Sequence, residues 1–66
     1  MKHSLIMEAH NIFTIIEEEP EKVREHRAFF AEELRRIGRE LTLCDGVRQS
    51  LFDSLYAALI ELDGLS

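Results

Sequence analysis

Apolar residues recur at helical spacing along three stretches of this chain, and Pro20 and Gly46 separate the stretches. A spacing of three and four residues brings side chains to one face of an α-helix. Proline suits the first position of a helix and ends a preceding one, while glycine suits a turn. The pattern predicts helices over about 5–18, 20–43 and 47–62. We therefore expect one all-α domain over 1–66, a three-helix bundle with a long central helix.

The central stretch carries a regular apolar seam. Its repeat of four and three residues is typical of helices that pack along their length. The seam consists of Val23, Arg27, Phe30, Leu34, Ile37 and Leu41. Arg27 is its charged member, and Glu32 and Arg36 nearby are spaced for an ion pair. Gly38 weakens the helix by about 1 kcal/mol relative to alanine, which indicates a role either in close packing or in a slight bend.

The size of the chain favours association with a partner. The chain has 66 residues and one cysteine, Cys44, so an intramolecular disulfide is excluded. A domain of this size buries only about 60% of its unfolded surface and is marginally stable alone. Small domains usually gain stability from disulfides, a metal or oligomerisation. We therefore expect a homodimer or a complex with another protein.

The third stretch carries more apolar surface than two neighbouring helices would cover. A helix that packs on one side needs an apolar stripe only a little wider than about 100°. One face holds Val47, Leu51, Leu55, Ala58 and Leu62, and an adjoining face holds Phe52, Tyr56, Leu59 and Ile60. Phe29 is a further apolar residue, about 120° from the central seam. We predict a dimer or partner interface that uses either the face of Phe52, Tyr56, Leu59 and Ile60 or the side of Phe29. The alternative is a monomeric bundle with a few exposed apolar residues.

Motifs for catalysis or metal binding are missing from the sequence. His3 and His10 are seven residues apart, about 10 Å along a helix, which is too far to share one ion. The chain has no Glu-x-x-His pair, no second thiol beside Cys44 and no glycine-rich phosphate loop. Ser50 and Ser54 have no histidine at helical spacing. We therefore predict a non-enzymatic adaptor, inhibitor or regulatory subunit without metal, cofactor or small-molecule substrate.

Charge and hydropathy argue against nucleic acid and membranes as partners. The formal net charge of −5 opposes binding to DNA and to anionic membranes. The uncharged apolar stretches are only a few residues long, whereas a membrane span requires about 20. The apolar run near the amino terminus is cut at Glu8, which is too early for a signal peptide. A single thiol fits a reducing compartment, so we expect a cytoplasmic protein.

The segment 41–52 resembles a helix-turn-helix motif. Gly46 and Val47 stand at the positions of the turn glycine and the apolar residue that follows it. The resemblance implies a DNA-binding regulator as the alternative function, with Arg48, Gln49 and Ser50 at the start of a recognition helix. Asp45 departs from the motif because an apolar residue usually occupies its position.

A group of arginines lies along one side of the predicted central helix. The group consists of Arg24, Arg35 and Arg39, and Glu21 and Glu32 border it. Exposed pairs of opposite charge are usually solvated and contribute little to stability. We interpret this side as a solvated face with ion pairs, although a basic stripe of this kind is also a second conceivable DNA contact.

Overall fold

The computed structural model describes residues 2–65, and all regular secondary structure in this range is helical. The prediction of an all-α fold is confirmed. Four helices follow one another along the chain. Helix α1 spans Lys2–Glu18, α2 spans Pro20–Glu25, α3 spans Arg27–Thr42 and α4 spans Gln49–Gly64.

Helix α3 packs against both α1 and α4, and α1 also contacts α4. At one end of the molecule, Lys2 Nζ donates a hydrogen bond to the carbonyl oxygen of Asp45 at 3.1 Å. At the other end, the Arg27 guanidinium donates to the carbonyl oxygen of Leu65. The start of α1 therefore lies beside the end of α3, and the start of α3 lies beside the end of α4. Both α1 and α4 consequently run antiparallel to α3.

The core consists of residues at three- and four-residue spacing on each long helix. These residues are Leu5, Ala9, Ile12 and Ile16 of α1, Phe30, Leu34, Ile37 and Leu41 of α3, and Leu51, Leu55, Ala58 and Leu62 of α4, with Val23 of α2. No polar or charged side chain is buried among residues 2–65. The apolar residues that recur at helical spacing in the sequence are thus the ones that are buried in the fold.

A break at His26 divides the predicted central helix into α2 and α3, so the prediction of one helix over 20–43 is wrong. His26 has φ −120° and ψ 33°, whereas an α-helix has a ψ near −42°. In an unbroken helix, Arg27 would lie about 40° from Val23 and would point into the core. Burial of an unpaired guanidinium is strongly unfavourable. The break keeps Val23 fully buried and leaves Arg27 exposed at the surface.

The outer helix bounds differ from the predicted ones by a few residues. Helix α1 begins at Lys2 rather than at residue 5, and α4 spans Gln49–Gly64 rather than 47–62. The turn over 43–48 joins α3 to α4. Gly46 has a φ of 76° in this turn, and it is the one residue with positive φ between 2 and 65. Glycine adopts this left-handed conformation without the steric penalty that a Cβ atom brings.

Arg36 contacts three carboxylates, of which that of Glu8 links α3 to α1. Its guanidinium donates to Glu40 at 2.6 Å, to Glu8 of α1 at 2.9 Å and to Glu33 at 3.3 Å. These hydrogen bonds, the one from Glu33 first, raise the pKa of Arg36 above its ordinary value. The predicted pair of Glu32 with Arg36 is wrong, because Arg36 turns toward α1 and Glu32 instead approaches Arg35 and a second arginine of α3.

Alanine substitutions of Gly46 in the turn and of Gly38 in α3 should change the free energy of unfolding in opposite directions. We expect Gly46→Ala to lower the free energy of unfolding by about 1–2 kcal/mol, because a Cβ atom is strained at positive φ. We expect Gly38→Ala to raise it by about 0.5–1 kcal/mol, because alanine favours the helix. A methyl group at Gly38 would lie 4.0 Å from Cδ1 of Leu55, an ordinary contact. Urea unfolding followed by circular dichroism measures both values, and a stabilising Gly46→Ala would contradict the left-handed turn.

Removal of the Arg36 hydrogen bonds tests the link between α1 and α3. We expect Arg36→Gln to lower the thermal unfolding midpoint more than Arg24→Gln does. Arg24 is an exposed residue of α2, for which the described residues supply no ion pair. The difference should shrink as NaCl is raised to about 0.5 M, because salt screens partly exposed pairs. Equal midpoints of the two variants at low salt would show that the Arg36 contacts do not hold α1 in place.

Candidate protein-docking surface

Two large apolar side chains project from α4 into solvent. Tyr56 is 71% exposed and Ile60 is 66% exposed. They are four residues apart, so they lie next to each other on one face of the helix. We refer to Tyr56 and Ile60 as the α4 ridge. Phe52 and Leu59, which the sequence predicted for the same interface, are half-buried and pack against the core.

An open groove of about 450 Å³ runs between α3 and α4 beside this ridge. We call it the α3–α4 groove. It is lined by Leu34, Arg35, Gly38, Arg39 and Thr42 of α3 and by Phe52, Leu55, Tyr56 and Leu59 of α4. On the α3 side the lining includes the small residues Gly38 and Thr42, and on the α4 side it includes Phe52 and Tyr56. The lining surface is mostly apolar, although it lies at the surface of a highly charged chain.

The α3 edge of the groove carries two exposed arginines, Arg35 and Arg39, which we call the arginine rim. Arg35 lies 3.9 Å from Glu32, and Arg39 lies 3.7 Å from the same carboxylate. One carboxylate thus stands between two guanidiniums at distances too long for strong hydrogen bonds. The rim has an excess of positive charge on a chain whose formal net charge is −5.

Across the groove, the α4 residues that form its lining are uncharged, and the charged residues elsewhere on α4 are acidic. Residues 49–64 include Asp53, Glu61 and Asp63 and no lysine or arginine. Asp53 accepts a hydrogen bond from Gln49 Nε2 at 3.2 Å and lies three residues before Tyr56. The apolar floor therefore lies between a basic edge on α3 and an acidic helix, α4. A bound segment with charges of its own would therefore favour one orientation.

The predicted interface residues do not all meet in one place. Phe52, Tyr56 and Leu59 line the α3–α4 groove, and Ile60 adjoins it on the α4 ridge. Phe29 is exposed, but it lies about 150° round α3 from the groove. Its ring packs edge-on against Phe30, with ring centroids 5.4 Å apart. Phe29 is thus a separate apolar spot on the opposite flank of α3.

Sequence reasoning missed the part that α3 plays in this surface. Arg35 and Arg39 are exposed and approach Glu32, as the interpretation of a solvated face with ion pairs requires, but they also border the apolar floor. Two arginines at a spacing of four residues, on either side of Gly38, were the available signal. Their partner across the groove becomes apparent only when α4 packs against α3.

The residues of the alternative nucleic-acid site lie together at the start of α4. Arg48 precedes the helix, Gln49 and Ser50 open it, and all three are exposed. They lie near Lys2 of α1, which reaches the same turn. However, α3 and α4 lie side by side and antiparallel along their length. The two helices of a helix-turn-helix cross at about 90–120° instead.

The single cysteine lies in the turn region after α3. Cys44 is half-buried, and its thiol donates to the carbonyl oxygen of Glu40 at 3.6 Å. Residues 2–65 include no group of three or more histidines, cysteines or carboxylates placed to hold a metal ion. None of the helices in this range combines the length and the apolar character that a membrane crossing needs.

The apolar groove thus brings apolar, aromatic and arginine side chains together on one surface, with the α4 ridge beside it. Its chemistry suits contact with another polypeptide, because interface centres are apolar and rich in tyrosine and arginine. The chain shows no significant match to a protein-family model, to a curated protein or to a solved structure.

Proposed function

We propose that this chain is a small non-enzymatic protein–protein interaction module, an adaptor, inhibitor or regulatory subunit. It acts as a helical homodimer or within a helical complex, and it binds through the α4 ridge and the α3–α4 groove. The observation that supports this most is the exposure of Tyr56 and Ile60 beside an apolar groove. Soluble proteins usually expose apolar side chains singly, and contiguous apolar surface marks interaction sites.

The exposed ridge can supply useful binding energy. Complete burial of one large apolar side chain contributes roughly 1.5–3 kcal/mol before ordering costs. About two-thirds of Tyr56 and of Ile60 is still exposed, so together they offer roughly 2–4 kcal/mol on this scale. Tyrosine and arginine are also the residue types that dominate measured interface energies. Association would in addition relieve the small core of a 66-residue chain.

The proposal places the chain in the cytoplasm and assigns it no catalytic role. The groove is open to solvent rather than a closed cleft, and a closed cleft is what most reactions need to exclude water. The half-buried Cys44 suits a reducing compartment. Small molecules, metals and cofactors have no place in the proposed activity, which is binding of a protein surface.

Charge substitutions on the ridge test this function. We expect Tyr56→Glu and Ile60→Glu each to weaken association at least tenfold, because a carboxylate at a buried contact loses its water. Association with itself is measured by sedimentation velocity, where a dimer has about twice the 7.7 kDa chain mass. Association with other proteins is measured by quantitative capture on the tagged chain from its own cells. Met7→Glu is the matched control, because Met7 of α1 is 65% exposed and lies away from the groove.

A second control, Glu61→Lys, changes the charge of α4 at a residue outside the groove. Circular dichroism must show the same helical content for all variants. The proposal predicts that complexes survive in Met7→Glu and Glu61→Lys and disappear in the two ridge variants. Equal losses in the ridge and control variants, or no association by the wild type in either measurement, would refute it.

DNA binding is the second candidate function, and it is favoured by the exposed Arg48, Gln49 and Ser50 at the start of α4. The net charge of −5 and the antiparallel packing of α3 and α4 weigh against it. It is therefore the weaker candidate.

We expect no retention of duplex DNA at about 0.15 M salt, and hence no effect of Arg48→Ala in a gel-shift titration. The titration uses a random-sequence duplex pool over several salt concentrations. Sequence-specific, salt-sensitive binding that Arg48→Ala abolishes would instead establish the DNA-binding function.

A further inference from the structure

We infer that the α3–α4 groove of one chain receives α4 of a second copy, in a dimer whose twofold axis runs parallel to the helices. The dimer rests on the proposed function and adds to it the partner and the symmetry. Three features support it, which are the surface of α4, the symmetry that the groove allows and the register that this symmetry fixes.

Helix α4 has the surface that the α3–α4 groove requires of an occupant. Its ridge, Tyr56 and Ile60, is apolar, and no other helix within residues 2–65 exposes two large apolar side chains. Between residues 49 and 64 the chain has carboxylates but no lysine or arginine, whereas the arginine rim borders the groove on α3. Apolar surface and opposite charge therefore match between two copies of the same chain.

Only one direction of the twofold axis lets α4 of a second copy fill the groove. In the groove, this helix packs against α3 and α4 at once, so the three helix axes form a triangle in cross-section. A twofold axis perpendicular to the helices would pass through α3 and superimpose the two α3 helices, although packed helices stay about 8–10 Å apart. An axis parallel to the helices passes midway between the two α4 helices instead. Each α4 then fills the groove of the other copy.

The parallel axis brings one row of α4 residues to the same row of the second copy. Phe52, Tyr56 and Leu59 line the groove at spacings of four and three residues, which are typical of helices that pair along their length. Gln49 and Asp63 extend the row by one position at each end. Tyr56 is thus enclosed at the centre of the contact. The two copies of Asp63 approach each other at its end, where water screens their like charge.

The same symmetry brings Asp53 to the level of Arg39 of the second copy. Within one copy, Gly38 of α3 lies about level with Leu55 of α4, because a Cβ atom at Gly38 would lie 4.0 Å from Leu55 Cδ1. The two helices are antiparallel, so Arg39 comes within about 3 Å of the level of Asp53 along the helix axes. A twofold rotation moves nothing along its own axis. The same levels therefore hold between the two copies.

Asp53 also lies on the flank of α4 that faces the second copy. It is about 20° round the helix from Ile60, on the side of the α4 ridge that is turned away from the α3 of its own chain. In the dimer, this flank faces the arginine rim of the second copy. Within one copy the two charges have other neighbours, since Asp53 accepts a hydrogen bond from Gln49 at 3.2 Å and Arg39 lies 3.7 Å from Glu32. Asp53 and Arg39 therefore pair between copies and not within one.

Two charge-reversed variants, studied alone and in mixture, test the dimer. In Asp53→Arg alone, both contacts between the copies place arginine opposite arginine, and in Arg39→Asp alone both place aspartate opposite aspartate. In a mixed dimer of the two variants, both contacts regain an arginine opposite an aspartate. We expect each variant alone to self-associate about tenfold more weakly than the wild type, since two exposed pairs change sign. The equimolar mixture should recover most of the wild-type affinity.

Matched controls carry the same changes of charge away from the contact. Glu61→Arg lies about 140° round α4 from Tyr56, Arg24→Asp lies on α2, and both residues are exposed. Each control should self-associate as the wild type does. An effect of net charge alone would strengthen association in Asp53→Arg, because the chain of net charge −5 then repels itself less. Sedimentation equilibrium measures the affinities, and circular dichroism verifies the helical content.

Cysteine substitutions test the direction of the axis. Gln49→Cys and Asp63→Cys are made separately in a Cys44→Ser background, at exposed positions about 21 Å apart along α4. With a mild added oxidant, we expect each to form a disulfide with the same position of the second copy. Antiparallel α4 helices would allow this at one of the two positions at most. Glu61→Cys in the same background is the control and should form far less disulfide.

The outcomes separate the twofold dimer from the proposed function. A monomeric wild type, undiminished association of Asp53→Arg, no recovery in the mixture, or disulfides at fewer than both positions would each overturn the dimer. The proposed function survives these results if the ridge variants Tyr56→Glu and Ile60→Glu still lose the capture of another protein. It fails separately, when the ridge variants leave every complex of the chain unchanged.

Discussion

Burial of Leu34, Ile37 and Leu41 between two neighbouring helices is the contact on which the rest of this structure depends. These side chains are among the largest that are completely enclosed, and they make α3 the shared partner of α1 and α4. In this chain, one helix packs against two long neighbours, and the rest of its surface is exposed. The α3–α4 groove lies at the edge of the packed surface, between Gly38 and the arginine rim on α3 and the aromatic side chains of α4.

The sequence was sufficient to predict the helical class and most of the core, because burial follows three- and four-residue spacing closely. It was insufficient for the break at His26. No glycine or proline marks that position, and the seam through Arg27 has the spacing of a continuous helix. The break depends on tertiary structure: Arg27 leaves the core and bonds to the Leu65 carbonyl, 38 residues further along the chain.

The candidate site was predictable only on the α4 side. The width of the apolar face of α4 follows from the spacing of its own residues, so the exposure of Tyr56 and Ile60 could be inferred from the sequence alone. The contribution of α3 is not local, because Arg35 and Arg39 border a groove only after α4 has packed beside them. Phe29 lies exposed on the other flank of α3, in agreement with its angle in the sequence pattern, and its part in an interface stays a prediction.

The charges of this chain act differently at long and at short range. Within about one Debye length, which is about 8 Å at physiological salt, the net charge of −5 repels an acidic partner. At contact, the arginine rim instead offers positive charge beside the apolar floor. Salt therefore has opposed effects, because it speeds the encounter and weakens the rim contacts. The charges around the groove therefore favour one orientation of a bound partner and do not raise the rate of association.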